Sequence, residues 1–135
     1  MQRQTRRTLA AFVLAAASHV AFFATLNMIG RGPDASRAVA VLLAWLPEAI
    51  VATASAYVGY GLPGNALLIR LVVFGLVFAC FLGFFNYLWA LAGYPADFTG
   101  AKASAILAAL AAPWQVAVSL AGGVVGHSLR AKSET

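Results

Sequence analysis

Four apolar runs, each about twenty residues long and separated by short breaks, restrict this chain more than any other feature it has. They cover residues 9–29, 38–59, 71–92 and 103–126. A helix needs ~20 apolar residues to cross the ~30 Å hydrocarbon core of a bilayer. The chain is 62% hydrophobic and 10% charged, whereas a water-facing domain carries about 25% charged residues. Four acidic and nine basic residues in 135 cannot cover a globule in water. The expected solvent is lipid, and the expected fold is all-α: a polytopic membrane protein with four transmembrane helices in one membrane domain, 1–135.

The breaks have the composition of tight helix connections. Gly30, Arg31, Gly32, Pro33 and Asp34 end the first run, and Gly61, Leu62, Pro63, Gly64 and Asn65 end the second. Gly and Pro at such positions stop helices, and short connections join antiparallel neighbours. Arg3, Arg6 and Arg7 followed by an apolar run also resemble a secretory signal. A signal's apolar region spans ~7–15 residues, shorter than 9–29, so a retained first span is expected.

Lys and Arg set the orientation. Arg3, Arg6, Arg7, Arg70, Arg130 and Lys132 fall on one side; Arg31, Arg37 and Lys102 fall on the other. Six against three puts both termini in the cytoplasm. Tyr57 and Tyr60 then mark the inner interface, and Tyr87, Trp89 and Tyr94 the outer one. The net charge of +5 and the pI near 10.0 follow from this distribution, so nucleic-acid binding is not expected.

Sliding the chain on itself by 62 positions pairs Phe12 with Phe74, Ala17 with Ala79, and Phe22 and Phe23 with Phe84 and Phe85. A slide of 66 pairs Pro47 with Pro113, the only prolines inside spans. Two such hairpins would form a parallel repeat about an axis along the membrane normal; chance matching of apolar segments is the other reading. Through Arg6-Arg7, Phe12, Thr25-Leu26-Asn27, Gly30 and Trp45-Leu46-Pro47, the first hairpin resembles a bacterial two-helix membrane family of unknown function. That resemblance implies a membrane location and paired hairpins, and no activity. The second hairpin departs from the pattern in its longer connection through Tyr94, Pro95, Ala96, Asp97 and Phe98.

Lipid tails are as apolar as leucine, so helices associate in membranes through close packing and hydrogen bonds. Gly75, Ala79 and Gly83 form a small-residue ridge on the third span, and Gly122 and Gly126 form a GxxxG on the fourth. Ala40, Ala44, Ala52 and Ala56 form a ridge on the second, interrupted by Glu48; Ala111, Ser119 and Gly123 share a ridge with Gln115. Glu48 and Gln115 are therefore expected at helix–helix contacts. Pro47 and Pro113 each remove one backbone hydrogen bond, from the carbonyls of Leu43 and Ala109, beside those two polar residues.

One constellation carries chemistry. Centring each span on the midplane puts His19 and Glu48 at one depth, with Cys80 and Gln115 near that level. A carboxylate at mid-membrane is a functional-site hypothesis by default. It is expected either as the neutral acid or ionised against a protonated His19. His19, Glu48 and Gln115 are the candidate proton- or ion-binding residues, or a hydrogen-bonded set that fixes packing.

No metal site or cofactor is expected. The single Cys80 excludes a Cys-rich metal site. His19 and His127 lie at different depths, which argues against a haem held between them. There is no phosphate-binding loop, zinc-protease motif or nucleophile with a base and an orienting acid, so an enzyme is not expected. The expected role is a non-catalytic accessory or interaction subunit of a membrane assembly in the bacterial inner membrane. Its expected partners are the bilayer and a homo-oligomer or larger complex. The competing role is a homo-oligomeric proton-linked transporter or channel for a small ion or lipophilic solute.

Overall fold

A computed structural model describes residues 2–29, 36–93 and 98–133. Its helices are α1 (Gln2–Ile29), α2 (Ser36–Tyr60), α3 (Gly64–Gly93), α4 (Phe98–Leu110) and α5 (Ala112–Ser133). Among the described residues there is no strand, and Gln2–Ile29, Gly64–Gly93 and Thr99–Ser133 are each long and apolar enough to cross a membrane. α2 supplies another rod of 25 residues, so the described residues form four rods. The first connection (Gly30 to Asp34), Tyr94 and Asp97 lie outside the described residues, as do the side chains of Arg37 and Ala40.

Each helix outruns the apolar stretch that announced it. α1 begins at Gln2 rather than Leu9, because Arg3, Arg6 and Arg7 are good helix formers and a helix end in water costs little. The fourth span, Thr99–Ser133, is a single rod with a local break near its proline. The rod breaks at Ala111, between α4 and α5, two residues before Pro113, whose missing N–H and ring interrupt the i→i−4 ladder. The ladder resumes when the Gln115 amide donates to the Ala111 carbonyl at 3.0 Å. Pro47, by contrast, sits inside a continuous α2.

α2 turns into α3 within three residues. The Gly61 and Leu62 amides donate back to Val58 and Gly59, and the Pro63 carbonyl accepts from Ala66. Leu62 is buried and plugs the turn. Residue pairings across the bundle give its directions. Ala11 shares one packed cluster with Val58, Leu71 and Phe74, and Ala15 shares another with Val51, Phe78 and Leu82. α1 and α3 thus run parallel to each other and antiparallel to α2. α5 runs with α2, pairing Gly122 with Ala52 and Gly126 with Ala56. The start of α1, the α2–α3 turn and the end of α5 therefore share one end of the bundle. That end carries Arg3, Arg6, Arg7, Arg70, Arg130 and Lys132.

The rods meet through two kinds of seam. Among the described residues α1 packs only on α2 and α3, and α5 packs chiefly on α2 and α3, so α1 and α5 occupy opposite corners. The α2–α5 seam is built from small residues. Beta carbons placed at Gly59, Gly122 or Gly126 would collide with the backbones of Gly123, Ala52 and Ala56 respectively. Gly75 does the same for α3, where an added Cβ would lie 2.8 Å from the Val116 Cα on α5. The α1–α3 seam is aromatic: Phe12 packs edge-on against Phe74, Phe78 and Phe81, and Phe23 against Phe85 and Trp89. On α3 these rings recur at 74, 78, 81 and 85, the heptad spacing that keeps one face toward a partner helix.

Little of the apolar surface is turned inward. Leu9, Leu14, Met28, Trp45, Ile69 and Leu110 are each more than 60% exposed. Apolar patches that wrap a whole bundle do not occur on soluble monomers; this exterior suits lipid or other helices.

Candidate functional site

Glu48 follows Pro47 on α2 and lies on the face that carries Ala52 and Ala56, four and eight residues on. That face packs on α5, and it delivers the carboxylate to Gln115. The Gln115 Nε2 donates to Glu48 Oε1 at 3.4 Å, a long bond. Gln115 is 2% exposed and Glu48 is half-buried. The break at Ala111 sits beside the pair, and with Pro47, Leu82, Asn86, Ser104 and Leu107 they line a cleft of about 340 Å³ that opens to the outside of the bundle. Asn86 spends one amide hydrogen on its own helix, donating to the Leu82 carbonyl at 2.8 Å.

Two oxygens in this site lack donors. Glu48 Oε2 and Gln115 Oε1 are both buried and accept no hydrogen bond from the described residues. A buried acceptor without a donor costs about 1–3 kcal/mol, more for a charged group. A proton on the carboxyl, a bound cation or an N–H or O–H donor from outside the chain would each remove that cost.

His19 does not join it. Its ring lies among Phe23, Phe78, Phe81 and Phe85, with centroids 5.1–6.3 Å away. Neither imidazole nitrogen has a hydrogen-bond partner among the described residues. The expected meeting of His19 with Glu48 is therefore corrected. Equal depth brought the two residues level, but rotation about the helix axes separates them: His19 takes the side of α1 that faces α3, whereas Glu48 takes the side of α2 that faces α5. The triad reduces to Glu48 and Gln115.

A second polar element lies deeper. The Ser55 hydroxyl donates to Ser119 Oγ at 2.9 Å, and Ser119 donates to the Leu71 carbonyl at 2.8 Å. Both serines are 0% exposed, so this relay ties α2, α5 and α3 together with no oxygen left open. The packing residues read from the sequence sit nearby: Gly75, Ala79 and Gly83 are buried along α3, and Gly122 and Gly126 lie against α2.

Sequence reasoning missed Ser104 and Ser55. Ser104 lies eleven residues before Gln115, three helical turns along the same face, which is the signal that could have found it. Cys80 is exposed on α3 and does not line the cleft. Among the described residues no three His, Cys, Asp or Glu side chains gather as metal ligands. Comparison with family models, curated proteins and solved structures returns no match.

Proposed function

We propose that this chain is a small multi-pass protein of the bacterial inner membrane, with both termini cytoplasmic, that serves as a non-catalytic subunit of a membrane assembly. The observation that carries this reading is the Glu48–Gln115 cleft. It presents two buried acceptor oxygens on the flank of the bundle, where a neighbouring helix can bring a Lys, Arg, Ser or Thr. Toward the basic end the bundle is closed by the Ser55–Ser119–Leu71 relay and by backbones in contact at Gly122 and Gly126. The Glu48–Gln115 cleft opens on the flank of the bundle, which favours a partner over a monomeric pore. The two hairpins are read as a tandem repeat of the two-helix unit that the first one resembles.

A second reading is favoured by the same open oxygens. In a homo-oligomer the cleft would bind a proton or small cation in transit at the Glu48 carboxyl group. Glu48→Gln separates the readings, because the amide it introduces can still bond Gln115 but cannot ionise. The experiment expresses both forms from the same membrane, measures what co-purifies in mild detergent, and measures proton-linked cation flux in proteoliposomes. Loss of a co-purifying partner with no flux in either form supports the subunit. A flux present in the wild type and absent in the variant replaces it with the transporter. A wild-type chain that travels alone and moves nothing removes both.

A further inference from the structure

The cytoplasmic end of the bundle, as oriented above, holds a second cleft, of about 590 Å³, lined by Arg3, Gln4 and Arg7 of α1, Tyr57, Tyr60 and Gly61 of α2 and its turn, and Arg130 of α5. We infer that it is a binding site for a phosphate group, carried by an anionic lipid headgroup or by a water-soluble phosphate. The site stands apart from the Glu48 cleft and holds whether or not that cleft meets a partner.

Arg7 is held as a ligand-binding arginine is held. Its Nε donates to the Tyr57 carbonyl at 3.1 Å. Its guanidinium carbon lies 4.1 Å from the centroid of the Tyr57 ring and 5.7 Å from that of Tyr60. Gly61 makes room for it: a Cβ there would fall 2.5 Å from Arg7 Nη1 and 2.8 Å from Cζ. One edge of the guanidinium is thus committed to the backbone and one face to an aromatic ring. The terminal amino groups remain for the forked, charge-assisted contact that arginine makes with phosphate.

Arg3 lies one turn before Arg7 on the same face of α1, and Arg130 comes from the far wall. Three guanidinium groups share the cleft, and among the described residues no carboxylate lines it. Glu48, the one acidic residue described, lies twelve residues before Tyr60, ~18 Å along the helix. Arg3 and Arg7, one turn apart, repel each other, and an anion in the cleft offsets that repulsion. The tyrosines fit the setting, since such rings favour the headgroup layer, and the cytoplasmic leaflet is the anionic one.

The test uses the full-length protein in a neutral maltoside detergent. It is titrated in parallel with dioleoyl phosphatidylglycerol, with dioleoylglycerol, which lacks the phosphate, and with inorganic phosphate; bound species are counted by native mass spectrometry. Phosphatidylglycerol should bind and dioleoylglycerol should not. Arg7→Gln should weaken binding at least about tenfold, as expected for losing hydrogen bonds to a charged group. Gly61→Ala keeps every charge but displaces Arg7, and should weaken binding in the same direction. Arg6→Gln removes an exposed charge that does not line the cleft and should change binding by no more than about twofold under salt screening.

If inorganic phosphate binds with the same ranking of variants and displaces the lipid, the site stands and its natural ligand is water-soluble. Equal losses in Arg6→Gln and Arg7→Gln would mean diffuse charge and overturn the site. So would wild-type affinity in Gly61→Ala, or equal binding of dioleoylglycerol.

Discussion

The α2–α5 seam makes a quantitative prediction from one chemical change at three glycines. Replacing Gly126 by Ala puts a methyl group within 2.6–2.8 Å of the Ala56 C and Cα, where ordinary contact is about 3.4–4 Å. Backbone cannot swing aside as a side chain does, so the helices must part by roughly 0.5–1 Å. That forfeits a quarter to a half of each contact's 0.1–0.2 kcal/mol, or about 2–3 kcal/mol over several tens of atom pairs. Alanine returns up to ~1 kcal/mol through helix propensity, leaving a net loss of about 1–2 kcal/mol. Gly83 is the contrast, since among the described residues its added Cβ meets only the Ala105 carbonyl at 3.5 Å, and that of Gly93 meets none within 4 Å. Gly83→Ala and Gly93→Ala should be neutral or stabilising by up to ~1 kcal/mol. The assay is SDS-driven unfolding in bicelles followed by the fluorescence of the three tryptophans. If Gly126→Ala and Gly93→Ala fall within about 0.5 kcal/mol of each other, the close seam between α2 and α5 is wrong.

Three further outcomes are expected. Ser119→Ala removes both bonds of the buried relay and should cost about 1–2 kcal/mol by the same unfolding assay, against about 0.6 kcal/mol for Ser55→Ala, which removes one; equal effects would contradict the central place of Ser119. His19→Phe should hold stability within about 1 kcal/mol or raise it, because the imidazole sits among rings with neither nitrogen bonded; a loss of 3 kcal/mol or more, as for breaking a buried charge pair, would restore a partnership with Glu48. Cys80, exposed on the middle of α3, should resist a charged thiosulfonate in intact membranes and react once the protein is denatured in SDS; prompt labelling in membranes would place that face in water.

Much of the candidate site was legible in the chain because helical periodicity fixes which residues share a face. Glu48, Ala52 and Ala56 lie on one stripe, as do Gln115, Ser119 and Gly123, so the stripe that packs closest had to carry the polar pair. The same rule could have found Ser104 upstream of Gln115 and the heptad of rings at 74, 78, 81 and 85. It could not foresee that Arg7 would stack on Tyr57, since the two are fifty residues apart and only the antiparallel pairing of α1 with α2 brings them together. Nor could it place His19, because depth in the membrane says nothing about direction around the axis.

Alone, the sequence determined the elements: apolar runs long enough to span lipid form long helices that satisfy their own backbones, and too few charges for a water-facing globule point to lipid as their solvent. It also determined which stripes were narrow enough for close approach. The tertiary structure decided who met whom. In lipid every apolar side chain is equally well solvated, so hydrophobicity does not choose neighbours; steric fit and a few hydrogen bonds do. Those choices placed α1 and α5 at opposite corners, and so gave Glu48 an amide where an imidazole was expected.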